Sequence, residues 1–83
     1  MYYVYVLLMS NKQFYIGYSS NVKRRIVEHK QGKCNTTKKY LPIKTIFCEI
    51  FINKKDALRR EKYFKSTKGR TTLRLMLREY LKE

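Results

Sequence analysis

The sequence predicts an α/β domain, and two patterns carry that prediction. Three short runs rich in β-branched and aromatic residues lie between turn signals, and three longer stretches carry apolar residues at helical spacing. Along the chain they fall in the order β-β-α-β-α-α. Eighty-three residues allow one domain, 1–83, with a modest core. The patterned runs of Ile, Leu, Val, Phe and Tyr, in a chain that is 43% apolar, argue against disorder.

Tyr2–Met9 is a continuous apolar and aromatic run, so it reads as a strand buried on both faces. The polar residues Ser10, Asn11, Lys12 and Gln13 form a turn. Phe14–Tyr18 is the second strand, and the short connection makes the pair an antiparallel hairpin. Gly17 inside that strand signals a bulge or a close approach of another group. Ser19, Ser20 or Asn21 caps a helix over Val22–Lys30, which stops at Gly32. The basic stretch from Gly32 to Pro42 is the longest loop. Ile43–Ile52 alternates loosely and reads as a third strand, free to pair on either side of the hairpin. Asn53 caps a helix over Lys54–Lys65, with Asp56 at the capping-box position. Ser66–Arg70 reads as a break. Thr71 or Thr72 then caps a third helix, whose apolar positions are Leu73, Met76, Leu77, Tyr80 and Leu81.

Twenty Lys and Arg against six Asp and Glu give a net charge of +14. Such a field attracts polyanions, and nucleic acid held through its phosphates is the expected partner. A generic basic surface, or a ribosome-associated structural protein, would account for the charge alone. No membrane partner is expected, since no segment joins a strong apolar face to a basic one. No transmembrane helix or signal peptide is expected either: no apolar run reaches about 18 residues, and the N-terminus lacks a basic region. Cys34 and Cys48 form no CxxC pair, so a zinc site is not expected. Free thiols in a reducing cytoplasm are preferred over a disulfide.

The groups able to do chemistry are few. Tyr5, Tyr15, Arg25 and His29 follow one another at spacings of ten, ten and four on a hairpin and the helix after it. Arg25 and His29 are i and i+4, so they share a helix face. A guanidinium grips phosphate oxygens, and an imidazole exchanges protons near neutral pH. A solvated basic face is the plainer reading of that pair. The tyrosines are either core aromatics or, if a cation lowers their pKa, proton acceptors, and the +14 field pushes toward the second. Glu61 shares a helix face with Ala57, Leu58 and Phe64, while Lys55, Arg59 and Lys62 occupy the other. A carboxylate on an apolar face needs a partner, which is either a neighbouring Lys or Arg or a metal.

Joined in this order, the motifs resemble the GIY-YIG nuclease domain. Its first strand motif appears as Tyr3-Val4-Tyr5, with Tyr3 in place of the usual glycine, and its second is intact as Tyr15-Ile16-Gly17. The likeness runs from about Tyr2 to Tyr80 and is strongest to small single-domain members similar to the N-terminal module of the excinuclease subunit of DNA repair. It implies a three-stranded antiparallel sheet flanked by helices. It also implies a metal-dependent DNA endonuclease directed by structure or backbone. In that scheme Glu61 holds Mg²⁺ or Mn²⁺, Arg25 stabilises charge on the phosphate, Tyr5 or Tyr15 activates water, and His29 orients or shares the proton. Two departures stand out: Tyr18 falls where some relatives carry lysine, and Leu73 falls near where many carry asparagine. Lys38, Lys39, Lys68 and Arg70 look like phosphate contacts, and Tyr40 offers a ring to stack on a base. The alternative is a non-catalytic nucleic-acid-binding module of the same fold. The expected state is a monomer or weak homodimer, with a separate protein for targeting.

Overall fold

A computed structural model describes residues 1–83. The central strand β1 (Tyr2–Leu8) pairs antiparallel on one side with β2 (Phe14–Ser19) and on the other with β3 (Lys44–Phe51), giving the order β2-β1-β3. Helix α1 (Val22–Lys30) follows the hairpin, and α2 (Lys54–Lys65), α3 (Thr67–Met76) and the short α4 (Arg78–Leu81) follow β3.

The double-sided burial expected of β1 sets this topology. Val4, Val6, Phe14 and Ile16 point to one face, where Ala57 and Phe64 of α2 and Leu73 of α3 cover them. Tyr5, Leu7 and Met9 point to the other, against Ile43, with Tyr15 and Val22 packed alongside. A strand with both faces filled belongs in the centre of the sheet, so β3 pairs with β1. The β1–β3 register slips between Val6 and Leu7, which are opposite Phe47 and Thr45 and leave Ile46 as the extra residue of a bulge.

The hairpin turn is closed by Met9 N–H donating to the Gln13 carbonyl at 3.0 Å, and Lys12 within it sits at φ 68. In α1 the Asn21 side chain accepts from the Arg24 N–H at 3.2 Å, and Gly32 follows the helix at φ 76. In α2 the Asn53 side chain accepts from the Lys55 N–H at 2.8 Å. The capping box expected with Asp56 does not form, because that carboxylate turns to Arg59 at 2.7 Å. Replacing Asn53 with alanine is expected to cost about 1 kcal/mol, a fall of about 4–8 °C in a thermal melt.

The third helix starts earlier than the sequence predicts. Ser66 is not part of a break: its hydroxyl accepts from the Gly69 N–H at 3.0 Å and caps a helix beginning at Thr67. The interruption comes instead at Leu77, which splits the expected helix into α3 and α4. Gly69 reads as a breaker in the sequence. In the fold it is buried where α3 turns against the Tyr63 carbonyl and the Phe64 backbone, a spot with no room for a side chain.

Candidate active site

Four of the five candidate catalytic residues converge on the face of the sheet opposite α2. The Tyr5 hydroxyl lies 2.9 Å from His29 Nε2, and His29 Nδ1 lies 2.8 Å from the Thr37 hydroxyl. All three side chains are buried. A neutral imidazole donates through one nitrogen and accepts through the other, so one tautomer sets the direction of the whole chain from Tyr5 to Thr37. Tyr15 meets the His29 ring edge-on, with centroids 4.9 Å apart. Gly17 makes this packing feasible: a Cβ there would fall within the Tyr5 ring, which is the close approach the sequence signalled.

Burial controls the protonation of this group. It pushes the His29 pKa down, and the Arg25 charge pushes the same way, so the ring is neutral at pH 7. Burial pushes the Tyr5 phenol up, with the nearby Tyr15 adding to the effect and Arg25 opposing it. Tyr15 is also raised, first by burial and then by the Cys34 thiol beside it. The expectation that the basic field would lower these phenols is therefore corrected: desolvation outweighs it. Burial would also raise Cys34, yet hydrogen bonding to the Thr37 and Thr36 backbone holds that thiol below its ordinary value. Both cysteines are free thiols.

Arg25 is half-exposed and donates to Glu28 at 3.1 Å. The helix face that Arg25 and His29 share by their i and i+4 spacing presents only Arg25 to solvent, because His29 is buried and faces Tyr5. Glu61 approaches from α2. Its side chain is 20% exposed and pairs with Lys65 at 3.2 Å, and its charge is felt by Tyr15. Ala57 and Phe64 share its inward side, whereas Leu58 is 39% exposed and lies outside that face. No three His, Cys, Asp or Glu side chains converge, so Glu61 is not part of a ready-made cage of protein ligands.

Lys38, Lys39 and Tyr40 form a single exposed 3₁₀ turn, docked to the hairpin by the Ser10 N–H donating to the Tyr40 carbonyl at 2.9 Å. Lys68 is exposed on α3. Arg70 is half-buried and donates to the Phe14 carbonyl at 3.2 Å, tying α3 to the residue before Tyr15. Sequence reasoning missed Thr37 and Cys34. The only signal was the length of the Gly32–Pro42 loop, which says that something is held there without saying which residue turns inward.

This fold and cluster define a small nuclease-type domain, and comparison with known proteins agrees. The family described as the GIY-YIG catalytic domain matches residues 1–74. The chain belongs to the GIY-YIG family. It is 43% identical to a UPF0213 protein of Limosilactobacillus reuteri, across 92% of this chain and 82% of the relative. It is 42% identical to one from Streptococcus agalactiae, across 76% and 73%. The solution structure of a UPF0213 protein from Bacillus halodurans superimposes with a TM-score of 0.60 at 31% identity, covering 92% of this chain and 85% of that one.

Proposed function

We propose that this protein is a divalent-metal-dependent endonuclease that hydrolyses phosphodiester bonds in DNA. The observation that carries the reading is the buried Tyr5–His29–Thr37 chain with Tyr15 set edge-on against it. Two phenols beside one neutral imidazole, one hydrogen-bonded to it and one set edge-on against it, form a proton-handling device, and a plain binding surface has no need of one. The +14 charge brings the anionic substrate to it.

The lone, partly exposed Glu61 suits Mg²⁺ or Mn²⁺, hard cations that keep several waters and take one or two carboxylates besides phosphate oxygens. Such an ion supplies Lewis acidity at the phosphate. The chain's own residues do the rest. Arg25, half-exposed and positioned by Glu28 through Nη1, stabilises charge growing on the phosphate; removing a donor of this kind costs about 100–1,000-fold in rate. Tyr15 is the half-exposed phenol, so it is the one placed to hydrogen-bond and orient the attacking water; burial keeps its hydroxyl protonated, and it would act as a base only beside a bound cation that lowers its pKa. Tyr5 is enclosed and acts through His29, keeping that ring in one tautomer. With contacts drawn from lysines rather than base-reading side chains, recognition is by backbone or structure. The protein would act in the cytoplasm as a monomer or weak homodimer.

A non-catalytic nucleic-acid-binding module has one specific observation in its favour: Glu61 and Arg25 are each already paired, with Lys65 and Glu28. Nicking of supercoiled plasmid and of a branched DNA in Mg²⁺, Mn²⁺ or EDTA decides between the two. Metal-dependent nicking that falls at least about 100-fold in Glu61→Ala is expected. Wild type and variant that bind DNA equally and cut nothing would hand the case to the binding module.

A further inference from the structure

A second basic site lies away from the catalytic cluster, at the hairpin end of the sheet. A cavity of about 520 Å³ opens there, lined by Lys12 of the turn, Lys44 at the start of β3, Arg74 of α3 and Tyr80 of α4, over Leu8. None of its three cations takes part in the chain's ion pairs. Arg74 stacks on the Phe14 ring, 4.9 Å from its centre, which fixes the guanidinium's position without neutralising it. Glu83 is the one acid in the lining, so the cavity keeps a positive balance. Lys12 is notable because it occupies the left-handed region at φ 68, where glycine would be less strained.

We infer that this cavity is a phosphate-binding subsite that holds the nucleic-acid backbone beyond the point of cleavage. The inference rests on the nuclease reading for its ligand. Continuity supports it: the Lys38–Tyr40 turn docks on Ser10 of the hairpin, so basic residues run from beside the cluster, around the turn, to Lys12 and Lys44. Tyr5 and Leu8 point to opposite faces of β1, so the cavity beneath α3 and α4 and the cluster lie on different faces of the sheet. A nucleic acid that reaches both passes around the hairpin end, where Lys12 and the Lys38–Tyr40 turn lie, with Tyr80 offering its ring to a sugar or base.

The test is binding of a labelled 20-base-pair duplex in EDTA, by fluorescence anisotropy across a salt series. Lys12→Gly combined with Lys44→Ala removes two cations, and the glycine relieves the turn, so the fold is retained. Affinity is expected to fall about tenfold, and the slope of log K against log salt to shrink by about 2. Lys54→Ala with Lys55→Ala, the same charge change at the far end of β3, is expected to leave affinity within about twofold of wild type. Equal losses in both double variants would mean only bulk charge and would overturn the subsite. So would an unchanged slope in the first. If wild type binds and the first double variant alone loses binding, the subsite stands even where no cutting is found, and only the nuclease reading falls. If wild type binds no DNA, both fall.

Discussion

Gly69→Ala is expected to lower the melting temperature by about 12–24 °C, corresponding to about 3 kcal/mol. Helix propensity argues the other way, since alanine is better than glycine inside a helix by about 1 kcal/mol. Position decides the sign. A Cβ at Gly69 would be driven into the Tyr63 carbonyl and the Phe64 Cα, which are backbone atoms that no rotamer change can move. Phe64 is fully buried between the sheet and α3, so its segment has nowhere to retreat. A circular-dichroism melt measures the effect, and a loss below about 4 °C would show that the corner between α2 and α3 yields after all.

Removing the His29 ring is the second large effect. His29→Ala is expected to cost about 3–5 kcal/mol, through the cavity it leaves and the two hydroxyls, of Tyr5 and Thr37, that lose their partner. Cleavage should fall about 100-fold or more. Thr37→Val separates the two contributions, because it keeps the volume and removes one hydrogen bond, for about 1–3 kcal/mol. The chain has a single histidine, so its titration can be read directly. Burial lowers the folded pKa of His29. The unfolded chain takes up a proton as pH falls through about 6.5, while the folded state refuses it until lower pH. Stability is therefore complete above about 6.5 and declines below it. Urea midpoints at pH 7.5 and 5.5 should differ in wild type. They should differ less in His29→Leu, which removes the chain's one imidazole. The raised Tyr5 phenol adds a loss on the alkaline side, above about pH 10, where only the unfolded chain ionises.

Most of the architecture was legible because it rests on local patterns. The run at Tyr2–Met9 announced a strand buried on both faces, though not which side of the hairpin β3 would take; the polar residues Ser19–Asn21 and Asn53 announced helix starts, and Gly32 a helix stop. What misled was punctuation whose meaning depends on partners far along the chain. Ser66 and Gly69 looked like a loop, but one caps a helix and the other lets it lie against its predecessor. The reactive residues were legible as types at a spacing. Their state was not, since the fall in the His29 pKa and the rise in both phenols come from burial, which no spacing reveals. Thr37 was invisible for a related reason: an isolated threonine in a polar loop has no pattern until the loop folds over the imidazole. The resemblance sets Tyr18 where some family members carry lysine, and Leu73 near where many carry asparagine. In the fold Leu73 is fully buried beneath the sheet and Tyr18 stacks on Tyr2, so both serve packing here.

The placement of β1 has a consequence for the site's dynamics. Tyr5 sits in the middle of a strand bonded on both sides and buried on both faces. Its amide can meet solvent deuterium only when the whole domain opens, so its exchange should report global unfolding. The loop that carries Thr37 is anchored by a few hydrogen bonds and opens by itself at far lower cost. The imidazole thus stands between a wall that cannot breathe and one that can, and any breathing of the site would come from the loop side, with Tyr5 staying in place.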